Sequence, residues 1–175
     1  MGLSQGAHNG VRPLPLEPME AVIFTGIQAS GKSTFYKERF FDTHVRINLD
    51  MLRTRHREAI LLRACFEARQ RFVVDNTNPT RADRARYIAQ ARAAGFRVVS
   101  YYFETDVPGA LQRNARRVGK SRVPIVGIHG TRRRLEPPSA DEGFDEMYVV
   151  RITPDGEFEV RALFLRQENN PEQAS

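Results

Sequence analysis

Eight consecutive residues, Gly26-Ile27-Gln28-Ala29-Ser30-Gly31-Lys32-Ser33, follow the pattern glycine, any four residues, glycine, lysine, serine. Glycine at those two places lets successive backbone N–H groups converge on an anion, and the lysine adds a point charge that can reach the outer phosphates of a nucleoside triphosphate. The Ser33 hydroxyl suits Mg²⁺, and a helix starting behind the loop directs its positive end at the same place. The spacing predicts a P-loop, with Gly26, Ser30, Gly31, Lys32, Ser33 and Thr34 around a nucleoside triphosphate and Ser33 on Mg²⁺. Asp75, at the end of the β-rich run RFVVD, is the acidic companion expected on a neighbouring strand, acting on Mg²⁺ through water. The same residue also suits a cap for the helix after Pro79.

Hydrolysis at such a loop needs a group that positions water. Transfer to a hydroxyl needs a base for that hydroxyl and a site that keeps water out. Asp50, just past the second β-like run, stands where an acceptor would approach the outer phosphate. Arg53, three residues on, is expected on the same side of a helix, able to hold an acceptor phosphate or orient the carboxylate. A helix cap with a local ion pair is the plainer use of those two residues. Arg113 and Arg117, with Arg116 beside them, recur at helical spacing in LQRNARRVGK. Like charges at i and i+4 repel, so an anionic counterpart is expected, and a phosphoryl-transfer enzyme would use such a helix as a lid. A solvated helix face is the alternative. Arg132, Arg133 and Arg134 read as a basic rim.

These residues need elements to hold them. AVIFTG (21–26) is a continuous apolar run that reads as a strand buried on both faces, with a helix starting near Gly31. HVRIN (44–48) reads as a second strand, with Asp50 at a cap position. Residues 51–70 suit one long helix or two short ones, and RFVVD (71–75) is the third strand. Asn78 as cap, Pro79 in the first turn and Gly95 at the end predict a helix over 79–94. FRVVSYYF (96–103) is the next strand. Asp106 and Pro108 open a helix to Val118, and Pro124 opens another that stops at Pro137-Pro138. MYVVRI (147–152) and EFEVRALFL (157–165) are the last strands, joined by the turn Pro154-Asp155-Gly156. Strands separated by helices predict an α/β architecture: a mostly parallel sheet with helices on both faces, binding ligands at the carboxyl ends of its strands.

The chain has 175 residues, 41% hydrophobic and 27% charged, which suits one domain over 19–166 between a disordered lead-in (1–18) and a disordered tail (167–175). No apolar run approaches the roughly eighteen residues of a membrane span, and no secretory pattern opens the chain, so a cytoplasmic protein without membrane contact is expected. One cysteine, Cys65, excludes an intramolecular disulfide framework and a cysteine zinc cluster, and its setting suits a buried thiol on a helix. The net charge of +6 is unevenly placed: zero over residues 1–50, +13 over 51–135 and −7 over 136–175. Between Pro108 and Leu135 stand seven arginines and one lysine with no carboxylate, a candidate phosphate-binding face.

Together the P-loop, INLDMLR (47–53), VVDNTNPTRADRARYI (73–88), RNARR (113–117) with VP (123–124), and RRRLEPPSADEGF (132–144) resemble, in order, the kinase domain of polynucleotide 5′-hydroxyl kinases. The resemblance implies a P-loop kinase fold with an arginine-bearing helical lid, ATP and Mg²⁺ as donor and cofactor, and a 5′-hydroxyl end of DNA or RNA as acceptor. It implies Lys32 and Ser33 on ATP and Mg²⁺, Asp50 as general base, Arg53 on the acceptor phosphate, Asp75 in the supporting network, and Arg117, with Arg113 nearby, as the lid arginine. Nucleic-acid ends are thus the expected partner, in repair or end processing. The DxDxT motif of the phosphatase domain that often accompanies this kinase does not occur, so a stand-alone kinase is expected. Ile27-Gln28-Ala29-Ser30 lacks the proline or second glycine common in the loop, and Leu49 stands where a basic residue is common. A small-molecule kinase of the sugar-nucleotide or antibiotic type, or a regulatory ATP-binding module, would use much of the same pattern.

Overall fold

The computed structural model describes residues 19–105 and 107–166. The expected lead-in, the tail and Asp106 lie outside the described residues. In chain order the elements are β1 (Glu20–Thr25), α1 (Lys32–Arg39), β2 (Val45–Ile47), α2 (Leu49–Leu52), α3 (Arg55–Glu67), β3 (Phe72–Val74), α4 (Arg81–Ala93), β4 (Arg97–Phe103), α5 (Val107–Ala115), α6 (Ile125–Arg134), β5 (Glu146–Ile152) and β6 (Phe158–Leu165). The six strands form one sheet in the order β2-β3-β1-β4-β5-β6. The first five are parallel, and β6 returns antiparallel along β5.

β1 is buried on both faces because its alternate residues enter different cores. Ala21 and Ile23 pack with Leu62 and Cys65 of α3 and with Tyr87, Ile88 and Ala91 of α4. Val22 and Phe24 pack with Phe35 and Tyr36 of α1 on the other side. A strand with no solvent face needs no polar alternation, which is why the AVIF run is continuous. Burial pushes the Cys65 thiol up to about 11, so it stays protonated and packs as a small hydrophobe. Among the described residues no helix is long and apolar enough to cross a membrane.

Three boundaries differ from the expected ones, the simplest being that α5 ends at Ala115 and not at Val118. The cap of α2 is Asn48, whose side chain accepts from Met51 N at 3.1 Å; Asp50 lies inside the first turn. That helix closes after one turn at Arg53, in left-handed backbone (φ 71°), and Thr54 caps α3 by accepting from Arg57 N. The 51–70 stretch is therefore two helices, with Arg53 at the joint. Helix α4 starts at Arg81, because Thr80 and Asp83 form a reciprocal capping box. Asn78 does not cap; its amide donates to Phe24 O at 2.8 Å, tying the β3–α4 loop to β1.

Candidate active site

β1 lies between β3 and β4; the chain leaving β1 crosses through α1 to β2 on one side, the chain leaving β3 crosses through α4 to β4 on the other, and a crevice opens where those connections diverge. The loop from β1 to α1 lies there. Gly31, the residue before α1, is left-handed (φ 94°), and a Cβ on it would stand 2.9 Å from Ile152 Cδ1 and from Phe158 Cε1. A Cβ on Gly26 would come within 2.9 Å of Phe103 Cβ. Packing as well as anion binding thus demands glycine at both places. The side chain of Lys32, the first residue of α1, donates to Gly26 O (3.0 Å), Ile27 O (2.5 Å) and Ser30 Oγ (3.1 Å). Burial pulls this ammonium down to about 8; Asp75 and Asp50 act to raise it, and Arg117 to lower it further. Thr34 N–H bonds back to Gly31 O, while its side chain is exposed.

Asp75 leaves the end of β3 almost fully buried, and its Oδ2 accepts from Ser33 Oγ at 3.0 Å. A hydroxyl and a carboxylate side by side are hard oxygen donors of the kind Mg²⁺ prefers, and they stand at the mouth of the phosphate cradle, so the residues present fit a Mg²⁺-nucleotide. Arg46 of β2 joins the pair, donating through Nε (2.8 Å) and Nη2 (2.5 Å) to the same Oδ2 and through Nη2 to Ser33 Oγ (2.9 Å).

These groups border one cleft of about 440 Å³ whose lining includes Ser30, Lys32, Ser33, Asp50, Asp75 and Arg117. Asp50 is brought there by Asn48, whose amide donates to Asp75 O while its oxygen caps α2. Arg117 stands just beyond α5, in a turn closed by its own N–H to Asn114 O at 3.1 Å. Arg113 is turned to the loop, with Nε donating to Ala29 O at 2.8 Å, and so pins α5 to the cradle. Arg53 is not among the lining residues: the backbone reversal at the α2–α3 joint replaces the continuous helix that would have put it beside Asp50.

The cleft holds two further cations, Arg55, which spacing did not single out, and Arg134. Arg55 Nη1 donates to Glu58 Oε2 and Tyr87 OH, each at 2.8 Å. Glu58 Oε1 in turn accepts from Tyr87 OH (2.8 Å) and Asn76 Nδ2 (3.1 Å), and Asn76 Oδ1 accepts from Leu49 N (2.9 Å). Burial, reinforced by Glu58, pushes the Tyr87 hydroxyl up to about 12, so it remains a donor. The network ties Arg55 to the first residue of α2, next to Asp50. Its members come from four segments, so no local pattern announces it. Arg134, at the end of α6, belongs to the triplet read as a rim.

A sequence profile described as an AAA domain matches residues 22–138. The chain is 27% identical over 141 residues to the bifunctional polynucleotide phosphatase/kinase of Schizosaccharomyces pombe, an alignment covering 77% of this chain and 34% of that protein. It thus spans about a third of the length of that relative. Among solved structures, a gluconokinase from Sinorhizobium meliloti 1021 superposes with a TM-score of 0.55 at 18% identity, covering 77% of this chain and 83% of its own. Kti12 of Chaetomium thermophilum, solved in complex with ADP-AlF3, gives 0.58 at 16% identity, covering 78% and 92%. The fold is that of P-loop kinases.

Proposed function

This chain belongs to the AAA domain family, and from that membership and its cleft we propose that it transfers the γ-phosphate of ATP to the 5′-hydroxyl end of a polynucleotide. The observation that carries the reading is the meeting of Asp50, Lys32, the Ser33–Asp75 pair and Arg117 in one cleft. A P-loop with a carboxylate on the acceptor side has what phosphoryl transfer to a hydroxyl needs. The kinship with a polynucleotide phosphatase/kinase and the arginines of α5, α6 and their connection support a polyanionic acceptor.

Asp50 accepts the proton of the 5′-hydroxyl as its oxygen bonds to the γ-phosphorus. The bond from that phosphorus to the β–γ bridging oxygen breaks, and ADP leaves with the electron pair. Lys32 and Arg117 stabilise the charge that moves onto the transferring group and the leaving oxygen. Ser33, and Asp75 through water, would hold Mg²⁺, which when bound neutralises phosphate charge. Arg55, rather than Arg53, is the cation placed to hold an acceptor phosphate, because it lines the cleft and is oriented by Glu58 and Tyr87. A second reading, a small-molecule kinase, draws support from the cleft volume of about 440 Å³, enough for a compact ligand.

Transfer of labelled γ-phosphate to 5′-hydroxyl oligonucleotides, set against 5′-phosphorylated ones and a panel of sugars and nucleosides, tests this. Labelling only of 5′-hydroxyl oligonucleotides is expected; labelling of a small acceptor alone would sink the polynucleotide reading. Asp50→Asn is expected to lose turnover by at least about 100-fold while still binding ATP, and retained turnover would remove Asp50 as base.

A further inference from the structure

The oxygens best suited to a divalent ion already share a cation supplied by the chain. Arg46 presents two nitrogens to Asp75 Oδ2 and one of these also to Ser33 Oγ, so its guanidinium spans the hydroxyl and the carboxylate. Register explains the placement. Arg46 pairs with Val73 on β3, two residues before Asp75, so both side chains leave the sheet on the face covered by α1, which carries Ser33. The guanidinium also lies over the Tyr36 ring, 5.6 Å from its centroid, and the Tyr36 hydroxyl is fixed by donating to His44 O at 2.7 Å. Arg46 is thus gripped from the α1 side and by the carboxylate, with its side chain about a quarter exposed.

We propose that Arg46 is a positioning residue that sets the divalent-cation requirement of the site: it holds Ser33 and Asp75 together as an internal cation, and Mg²⁺ gains those oxygens only in competition with it. A guanidinium bound twice to one carboxylate oxygen is a strong charge-assisted contact, and a metal ion on Ser33 with its water on Asp75 would have to displace or share it. The same charge, close to the cradle, attracts phosphate whether or not a metal is bound. The two effects have opposite signs on Mg²⁺ dependence and on metal-free nucleotide affinity. This rests on the nucleotide site and not on the identity of the acceptor.

The test is calorimetric binding of ADP, with EDTA and across a Mg²⁺ series, to the full chain and to Arg46→Gln and Arg46→Lys. For Arg46→Gln, ADP is expected to bind about five- to ten-fold more weakly in EDTA, while the Mg²⁺ concentration giving half the metal-dependent gain falls by a similar factor. A variant that had merely lost structure would weaken in both arms. Arg46→Lys keeps the charge but not the fork, so its metal-free affinity should stay near wild type while its Mg²⁺ midpoint still falls; it also serves if Arg46→Gln does not fold. An unchanged Mg²⁺ midpoint in the folded variants would overturn the proposal while leaving the nucleotide site standing. Wild-type protein that bound ADP under neither condition would overturn both.

Discussion

At the scale of single residues, the environment of Lys32 gives the nucleotide site a pH dependence. Burial holds this ammonium at about 8, below its ordinary value, whereas polyphosphate favours the charged form. Above about pH 8 the lysine is largely neutral before binding and must take up a proton to pair with phosphate; below about pH 7 it is charged on both sides of the equilibrium. ADP affinity is therefore expected to fall as pH rises through about 8 to 9, with proton uptake seen by calorimetry in buffers of different ionisation enthalpy. No uptake in that range would mean that Lys32 does not bear on the phosphates. Two arginines two positions apart should also differ. Arg55→Ala is expected to raise the acceptor KM about ten-fold with less effect on kcat, and Arg53→Ala to change neither by more than about two-fold. Steady-state kinetics showing the larger effect at Arg53 would return the acceptor contact to it.

At the scale of elements, a buried ion pair joins segments on the cleft's far side. Arg84 of α4 is fully buried, and its Nε and Nη2 reach both oxygens of Glu142 at 2.8 and 2.6 Å. Its Nη1 donates to Asn78 O, Pro79 O and Glu136 O, spanning the β3–α4 loop and the chain leaving α6. Glu142 also accepts from Ser139 N. The β3–α4 loop and the base of the α5–α6 arm are thereby held as one unit. Removing one partner strands a buried charge, so Glu142→Ala should cost about 3–5 kcal/mol in urea unfolding; a loss under about 1 kcal/mol would mean the pair is solvated. The arm itself packs on the cradle through Ile27, Ala29, Ala110 and Ile128, with Val118 and Val126 at its outer end exposed. Arg117 therefore rides on an element whose base packs on the phosphate loop while its outer end is exposed, an arrangement that a closing lid would use.

At the scale of the whole molecule, the uneven charge of the sequence acquires a place. Part of the +13 segment is consumed by internal pairing: Arg84 with Glu142, Arg92 with Asp145 and Arg97 with Glu20 and Glu146. Several of those carboxylates belong to the acidic final quarter, so the two blocks partly neutralise each other across the fold. What faces the cleft is a smaller set, Arg55, Arg117 and Arg134. The sequence by itself determined the parallel sheet and the phosphate loop, because both are written in contiguous residues: apolar runs that need no solvent face, and glycines, lysine and serine at fixed spacing along one turn. It also placed Asp75 at a strand end and Asp50 just past one. Only the tertiary structure decided which further arginines stand beside the cleft. Arg55, Glu58, Asn76 and Tyr87 converge through two crossovers, Arg46 reaches Asp75 through strand register, and Arg53 is withdrawn by a backbone reversal that its helical spacing could not announce. Long charged side chains are assigned by what the fold brings within about 3 Å of them, and neighbours in space need not be neighbours along the chain.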